Sequence, residues 1–206
     1  MNLIPTHQVP SLPADIILAW DTIQECGSGS LPFVDAKFMQ VSTNNKRKNE
    51  HYAARKLFGN LVRVLKLPTN SVQLKKMELG KPYGLIGDEM LYTSFSHCED
   101  WVVCGLSRKL DLGVDCEPLD REVNPRIFDR ILDESEKNIL DELSHLAIWA
   151  MKEAVVKCIG TGIRTSLQKY PLIKEDNVYT VRWENERINI VPFIWEHHQL
   201  AVAWRK

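Results

Sequence analysis

Residues Trp149–Gly160 read WAMKEAVVKCIG. Extended back to Leu146, the run is LAIWAMKEAVVKCI, and its period is that of a helix. Leu146, Ala147, Ala150, Met151, Ala154, Val155 and Cys158 fall on one stripe that must be buried. Trp149, Glu153 and Lys157 stand at i, i+4 and i+8 and share another face. Alone, Glu153 and Lys157 read equally well as an exposed helix ion pair, worth only ~0.3–0.5 kcal/mol. The GTGI that follows, Gly160–Ile163, offers Gly160 or Gly162 as a left-handed helix end.

Upstream, LDLGVDCE spans Leu110–Glu117 and alternates with period two, as a strand does. Asp115 and Glu117 then project from one face, with Val114 and Cys116 toward the core. Two neighbouring carboxylates repel unless they are solvated or share a cation. Oxygen ligands favour hard ions, and Mg²⁺ takes one or two carboxylates together with substrate phosphates. A solvated strand edge explains the pair equally well by itself. Together, the strand and the helix assemble three carboxylates and a lysine, which suits a divalent metal acting on a phosphorylated substrate.

Outward from these segments, Asn49–Lys66 has a helical period, with Ala53, Leu57, Leu61 and Leu65 on one stripe. Val72–Leu74, Tyr92–Phe95 and Trp101–Leu106 read as strands. Pro118–Pro125 reads as a loop, and Gly27–Pro32 as a turn or loop. Asp133–Glu136 resembles a capping box ahead of a helix ending at Leu143. Val178–Trp183 and Arg187–Val191 alternate as a hairpin about Glu184–Glu186, and Phe193–Trp195 and Leu200–Trp204 add further strand. A long helix followed by strands thus occurs twice, without a repeat in the sequence.

The chain has 206 residues, 44% of them hydrophobic, enough for one large or two small cores. A formal net charge of −1 provides no basic field for a nucleic acid. Positive charge is local, at residues 46–48, 55–56, 75–76 and 121–130, which suits a phosphate-rich small molecule. The five cysteines include no CxxC pair and read as reduced core thiols in a cytoplasmic setting. The start of the chain lacks the pattern of a signal peptide, and no apolar run is long enough to span a membrane. His197 and His198 would face opposite ways on a strand and read as surface or packing residues.

The motifs resemble those of the 4′-phosphopantetheinyl transferases, in particular the longer group that includes the surfactin-synthetase activator and the human enzyme. Gly113-Val114-Asp115-Cys116-Glu117 matches the family's G-[IV]-D-x-E. Trp149 to Gly160 matches its W-x-x-K-E-[AS]-x-x-K-x-x-G. Gly80-Lys81-Pro82 resembles its G-K-P, and Ser94-Phe95-Ser96-His97 its N-[IL]-S-H. Arg47–Leu65 occupies the place of its CoA-binding helix. The resemblance spans roughly residues 45–175. Cys98 follows the histidine where serine is usual, and Thr93 stands where asparagine is frequent.

The resemblance implies an α+β fold, a pseudo-dimer of two similar halves, 1–108 and 109–206, with the active site between them. It implies an enzyme that moves the phosphopantetheine arm of coenzyme A to a serine of an apo carrier protein, releasing 3′,5′-ADP. Asp115, Glu117 and Glu153 would bind Mg²⁺, with Mn²⁺ an alternative. Asp115, Glu153 and Lys157 would be the catalytic groups. The proton acceptor stays open among Lys157, Glu153 and a metal-bound water. Arg47, Arg55, Lys81, Ser96, His97 and Lys157 would contact coenzyme A. The carrier, an acyl, polyketide or peptidyl carrier domain, would dock on Arg121, Arg126 and Arg130. One chain supplying both halves implies a monomer, and the charge balance and lack of a spanning run leave no nucleic-acid or membrane partner expected.

Overall fold

The computed structural model describes residues 1–27, 31–162 and 165–206. The middle of the Gly27–Pro32 loop and Ile163 of GTGI lie outside the described residues. The strands are β1 (Asn2–Ile4), β2 (Ile16–Thr22), β3 (Val72–Lys76), β4 (Pro82–Ile86), β5 (Glu89–Cys98), β6 (Trp101–Ser107), β7 (Asp111–Pro118), β8 (Ile173–Glu175), β9 (Val178–Trp183), β10 (Glu186–Trp195) and β11 (His198–Arg205). The helices are α1 (Ala36–Val41), α2 (Asn45–Val64), α3 (Phe128–Ile131) and α4 (His145–Ile159).

Two antiparallel sheets result, in orders β1-β2-β6-β5-β4-β3 and β7-β11-β10-β9-β8. Beyond the extra β1, the sheets share one topology. In each, a strand precedes a long helix, four strands follow it, and the last returns to pair with the first. The fold is therefore α+β, built from two like-folded lobes.

Burial explains the layering. Ala53, Leu57, Phe58 and Leu61 seat α2 against one face of the first sheet. Met151, Ala154, Val155 and Cys158 seat α4 against one face of the second. The remaining two faces meet through Ile16, Leu18, Val103, Leu112, Val114 and Val202. The order is helix, sheet, sheet, helix.

The helix ends follow capping chemistry. Asn44 Oδ1 accepts from Arg47 N (3.0 Å) at the start of α2. Ser144 Oγ accepts from Ala147 N (3.1 Å) at the start of α4. Gly160 closes α4 at φ 91°, where a side chain is disfavoured. The segment after Asp133 keeps its capping box but winds as a 3-10 helix, Glu134–Asp141, where an α-helix was expected. Strands β2 and β4 lie where no strand was expected.

Candidate active site

Strand β7 is an edge strand of its sheet, so alternate backbone N–H groups need partners outside it. Two serines of β5 supply them: Val114 N donates to Ser94 Oγ (3.0 Å) and Cys116 N to Ser96 Oγ (3.3 Å). This seam holds the lobes together at the acidic motif. On the face toward α4, a Cβ at Gly113 would lie 2.0 Å from the Ala154 carbonyl oxygen and 2.4 Å from Cys158 N. Only glycine admits the helix so closely. Alternation then turns Asp115 and Glu117 toward α4 as well.

Both carboxylates are buried, at 3% and 8% exposure, which excludes a solvated strand edge. Asp115 Oδ1 accepts from Lys157 Nζ (2.6 Å) and from Ser96 Oγ (2.9 Å). Lys157 Nζ also donates to Ser96 Oγ (2.8 Å). Among the described residues, Asp115 Oδ2 is buried without a hydrogen-bond partner. Glu117 accepts from the Trp149 indole N–H (3.1 Å) and pairs with Arg121, whose guanidinium also lies over the Trp149 ring. Glu153, 9% exposed, receives no side-chain hydrogen bond among the described residues. Lys157's partner is thus Asp115 rather than Glu153, which replaces the simple helix ion pair.

Electrostatics separates the roles of Glu153 and Lys157. Burial pushes the Glu153 carboxyl above the usual carboxylate range, and the Asp115 and Glu117 charges push it further. Burial would lower the Lys157 pKa. The Asp115 charge and hydrogen bond, joined by Cys116 and Glu153, outweigh burial and raise it. Lys157 is held as an ammonium.

Among the described residues, no three His, Cys, Asp or Glu side chains stand close enough to cage a metal as they are turned here. Asp115 is turned to Lys157, and Glu117 to Trp149 and Arg121. The donor chemistry nevertheless fits a hard divalent cation. Three buried, mutually repelling carboxyl groups face one helix–strand seam. One oxygen is unsatisfied, and one group is driven toward its protonated form.

Beside the seam lies a cleft of about 340 Å³ between the lobes. Arg55, Lys76, Lys81, Ser94 and Phe95 line it from the first lobe, and Val156, Lys157, Gly160 and Gly162 from the second. The Arg55 guanidinium stacks 4.9 Å from the Phe95 ring centroid. Two expected coenzyme A contacts, Arg55 and Lys157, therefore reach the cleft, Lys81 lines it only with its stem, and Ser96 touches Lys157 beneath it.

The remaining expected contacts are placed differently. The Lys81 ammonium is turned away from the cleft, bonded to Asp111 and to the Cys158 carbonyl at the end of α4. Asp111 is also bound by Arg205 (2.9 Å), so Lys81 belongs to an interlobe latch. His97 follows Ser96 on a strand and so faces the other way, 3.7 Å from the Glu50 carboxylate. Arg47 lies two helical turns before Arg55, about 12 Å along the axis. It lines a separate depression with Asp35, Phe38 and Val41. Arg121, expected on the docking face, is engaged with Glu117 and Trp149 instead. Arg126 and Arg130 are exposed in the continuous helical run 125–131.

In the sequence Lys75 and Lys76 stand out only as a basic pair. Strand alternation on β3 is what selects Lys76 for the cleft. Ser94, Phe95 and Trp149 fall within the matched motifs, but the sequence assigns no role to them. Lys152, of the helix motif, is wholly buried with Glu136 (2.7 Å), and it donates to the Tyr170 carbonyl (2.8 Å). It anchors α4 and does not reach the cleft.

The fold and site define a two-lobed α+β protein with an acidic, lysine-bearing seam beside a basic interlobe cleft. Residues 111–204 match the family model described as the 4′-phosphopantetheinyl transferase superfamily. Over 134 residues it is 26% identical to 4′-phosphopantetheinyl transferase gsp of Aneurinibacillus migulanus, covering 62% of this chain and 54% of that protein. It is 29% identical to 4′-phosphopantetheinyl transferase psf-1 of Bacillus pumilus, covering 55% and 52%. It is 27% identical to the human L-aminoadipate-semialdehyde dehydrogenase-phosphopantetheinyl transferase, covering 69% and 56%. The chain thus spans about half the length of the curated relatives it matches. A solved holo-(acyl-carrier-protein) synthase from Bacillus anthracis, in complex with CoA (3′,5′-ADP), aligns at 20% identity and a TM-score of 0.38, covering 46% of this chain and 94% of its own. That overlap is too loose to bear on function.

Proposed function

We propose that this chain transfers the 4′-phosphopantetheine arm of coenzyme A to a serine hydroxyl of an apo carrier protein and releases 3′,5′-ADP. The observation that carries this reading is the interlobe cleft. It sets Arg55, Lys76 and the Lys157 ammonium beside a seam of three buried carboxylates, as a pyrophosphate with its metal requires. Residues 1–108 and 109–206 act as the two halves that form its walls.

Asp115, Glu117 and Glu153 would hold Mg²⁺, with Arg121 giving way from Glu117. When bound there, such a cation would supply charge neutralisation for the pyrophosphate and its leaving phosphate. Lys157, kept cationic by Asp115, adds positive charge at the phosphoryl group being transferred. Ser96 fixes both Asp115 and Lys157 through one hydroxyl. The carrier serine oxygen attacks the phosphorus next to the pantetheine arm, and the bond from that phosphorus to the bridging oxygen breaks. Glu153, on the seam one helical turn from Lys157, is the carboxylate placed to take the serine proton. Arg55 on Phe95, with Lys76, receives the remaining phosphate charge; a guanidinium donates two parallel bonds to such a group.

Arg126 and Arg130 form the docking face for the acidic carrier. The protein works as a monomer, since one chain supplies both walls of the cleft. Its five free cysteines suit the cytoplasm. No helix among the described residues is long and apolar enough to cross a membrane.

Intact-mass spectrometry of an apo acyl carrier protein and an apo peptidyl carrier domain, each with this protein, coenzyme A and Mg²⁺, tests the reading. A phosphopantetheine mass gain that is lost in Asp115→Ala is expected. Absence of gain on both carriers, with coenzyme A still bound, would replace the transferase by a binding-only relative.

A further inference from the structure

The Ser94 and Ser96 row of β5 that seals β7 continues to Cys98. There it meets Cys116, which lies between Asp115 and Glu117 on β7. The two sulfurs stand 3.6 Å apart, and both thiols are free. They come from different lobes, and each sits within or next to one of the two motif strands. Cys116 is 1% exposed, whereas Cys98 is half-buried at the end of β5. Neither has a part in the proposed transfer.

We propose that Cys98 and Cys116 form a reversible disulfide site that joins the lobes beside Asp115. A disulfide needs its sulfurs at about 2.05 Å, so they must approach by about 1.5 Å. Side-chain rotation of two cysteines on facing strands provides part of that movement. The oxidant is a low-molecular-weight disulfide. The Cys98 thiolate attacks one of its sulfurs, its S–S bond breaks, and one small thiolate leaves and takes up a proton. Cys116 gives up its proton and attacks Cys98 Sγ, releasing the second small thiol and leaving the Cys98–Cys116 bond. Two thiols are oxidised and one small disulfide is reduced. The remaining approach falls on β7 between Asp115 and Glu117, which displaces the seam that positions them.

That consequence rests on the transferase reading; the cross-link does not. The whole chain is treated with oxidised glutathione and mapped by non-reducing peptide mass spectrometry. The expected result is one linked Cys98–Cys116 peptide, the loss of two hydrogens from the intact mass, and reversal by dithiothreitol. Cys98→Ser should show no such loss. A glutathione adduct on Cys98 with Cys116 left free, or a link between other cysteines, overturns the site. In the carrier assay the cross-linked form should turn over about tenfold or more slowly, since displacements near 1 Å at a site carry penalties of this order. Full cross-linking with an unchanged rate overturns the consequence. A reduced protein that transfers nothing refutes the transferase reading and leaves the peptide map to decide the disulfide.

Discussion

In the proposed transfer Lys157 can serve as a cation or as a base, and its surroundings choose between them. Its ammonium donates to Asp115 and Ser96, and Asp115 outweighs burial in setting its pKa. A charge that is only needed as a charge survives exchange for arginine. Lys157→Arg should therefore retain measurable carrier modification, whereas Lys157→Ala should lower kcat/KM by about 10–150-fold, the equivalent of ~1.5–3 kcal/mol for a hydrogen bond to a charged group. Both are read from the rate of mass gain on an apo carrier. An inactive Lys157→Arg with normal coenzyme A affinity would make Lys157 the base. His51 on α2 gives a second residue-scale expectation. Burial, then the nearby Arg55 charge, lowers its pKa from 6.5 to about 4, and its Nε2 accepts from Asp35 N (3.1 Å). Between those values the unfolded chain binds the proton that the folded chain refuses. The contribution to stability is thus complete above about pH 6.5 and is lost as pH falls toward 4. Urea unfolding at pH 7 and pH 5 should show wild type losing about 1 kcal/mol more than His51→Gln, a figure discounted for the partial exposure of the imidazole. Equal losses would mean that His51 titrates normally. At this scale the sequence made Asp115, Glu117, Glu153 and Lys157 legible, because each sits in a regular segment whose period fixes its direction. His97 and Arg47 are assigned by motif resemblance rather than by a period that fixes direction, and they lie outside the lining of the Arg55–Lys157 cleft.

The helix α4 carries the seam, and its own seating depends on one buried ion pair. Lys152 and Glu136 are both fully buried; Glu136 accepts from Lys152 (2.7 Å), Asp133 N (2.9 Å) and Leu172 N (2.9 Å). One carboxylate thereby pins the 3-10 segment and the chain near Leu172 to the helix. Removing one partner leaves the other charge buried and unpaired, so Lys152→Met should cost about 3–5 kcal/mol. The pair of substitutions Lys152→Met with Glu136→Leu should be milder than Lys152→Met alone, though it forfeits the bonds to Asp133 and Leu172. Chemical denaturation of the three variants measures this; a double variant no more stable than Lys152→Met would refute the unpaired-charge account. The pair also explains why a helix read from the sequence is 3-10. The segment is short, and its capping glutamate is drawn inward to Lys152, so the turn tightens. α4 and the strands β5, β6, β7, β9 and β11 were legible from clean periods and caps. β2, IILAWDT, opens with five apolar residues in a row and so shows no alternation. β4, PYGLI, opens with the proline and glycine of a turn. Neither offers a pattern that separates strand from loop.

At the scale of the molecule the two lobes share a strand order that no sequence repeat announces. Each lobe needs only the same layering of apolar residues, and many side chains satisfy it. What joins the lobes is likewise invisible to local pattern, because its members are remote in the chain. Lys81 from the turn before β4 reaches Asp111 on β7 and the Cys158 carbonyl, and Arg205 on β11 holds the other Asp111 oxygen. Lys81 is 6% exposed, and Gly160 packs on its stem, so the ammonium fixes the C-terminal end of α4, where Lys157 stands. If this latch is what Lys81 does, its energy is shared with Asp111, and a double-mutant cycle reveals the sharing. Lys81→Met and Asp111→Asn should each destabilise. The double variant should fall short of their sum by about 1–3 kcal/mol, as for other groups in one network. A phosphate ligand behaves otherwise. Its loss would weaken coenzyme A binding in a salt-dependent way, Asp111→Asn would spare that binding, and the two stability changes would add. Thermal unfolding and coenzyme A titration of the four proteins together discriminate. Coupled stabilities make Lys81 the bolt between the lobes, and additive ones return it to the cleft as a phosphate contact.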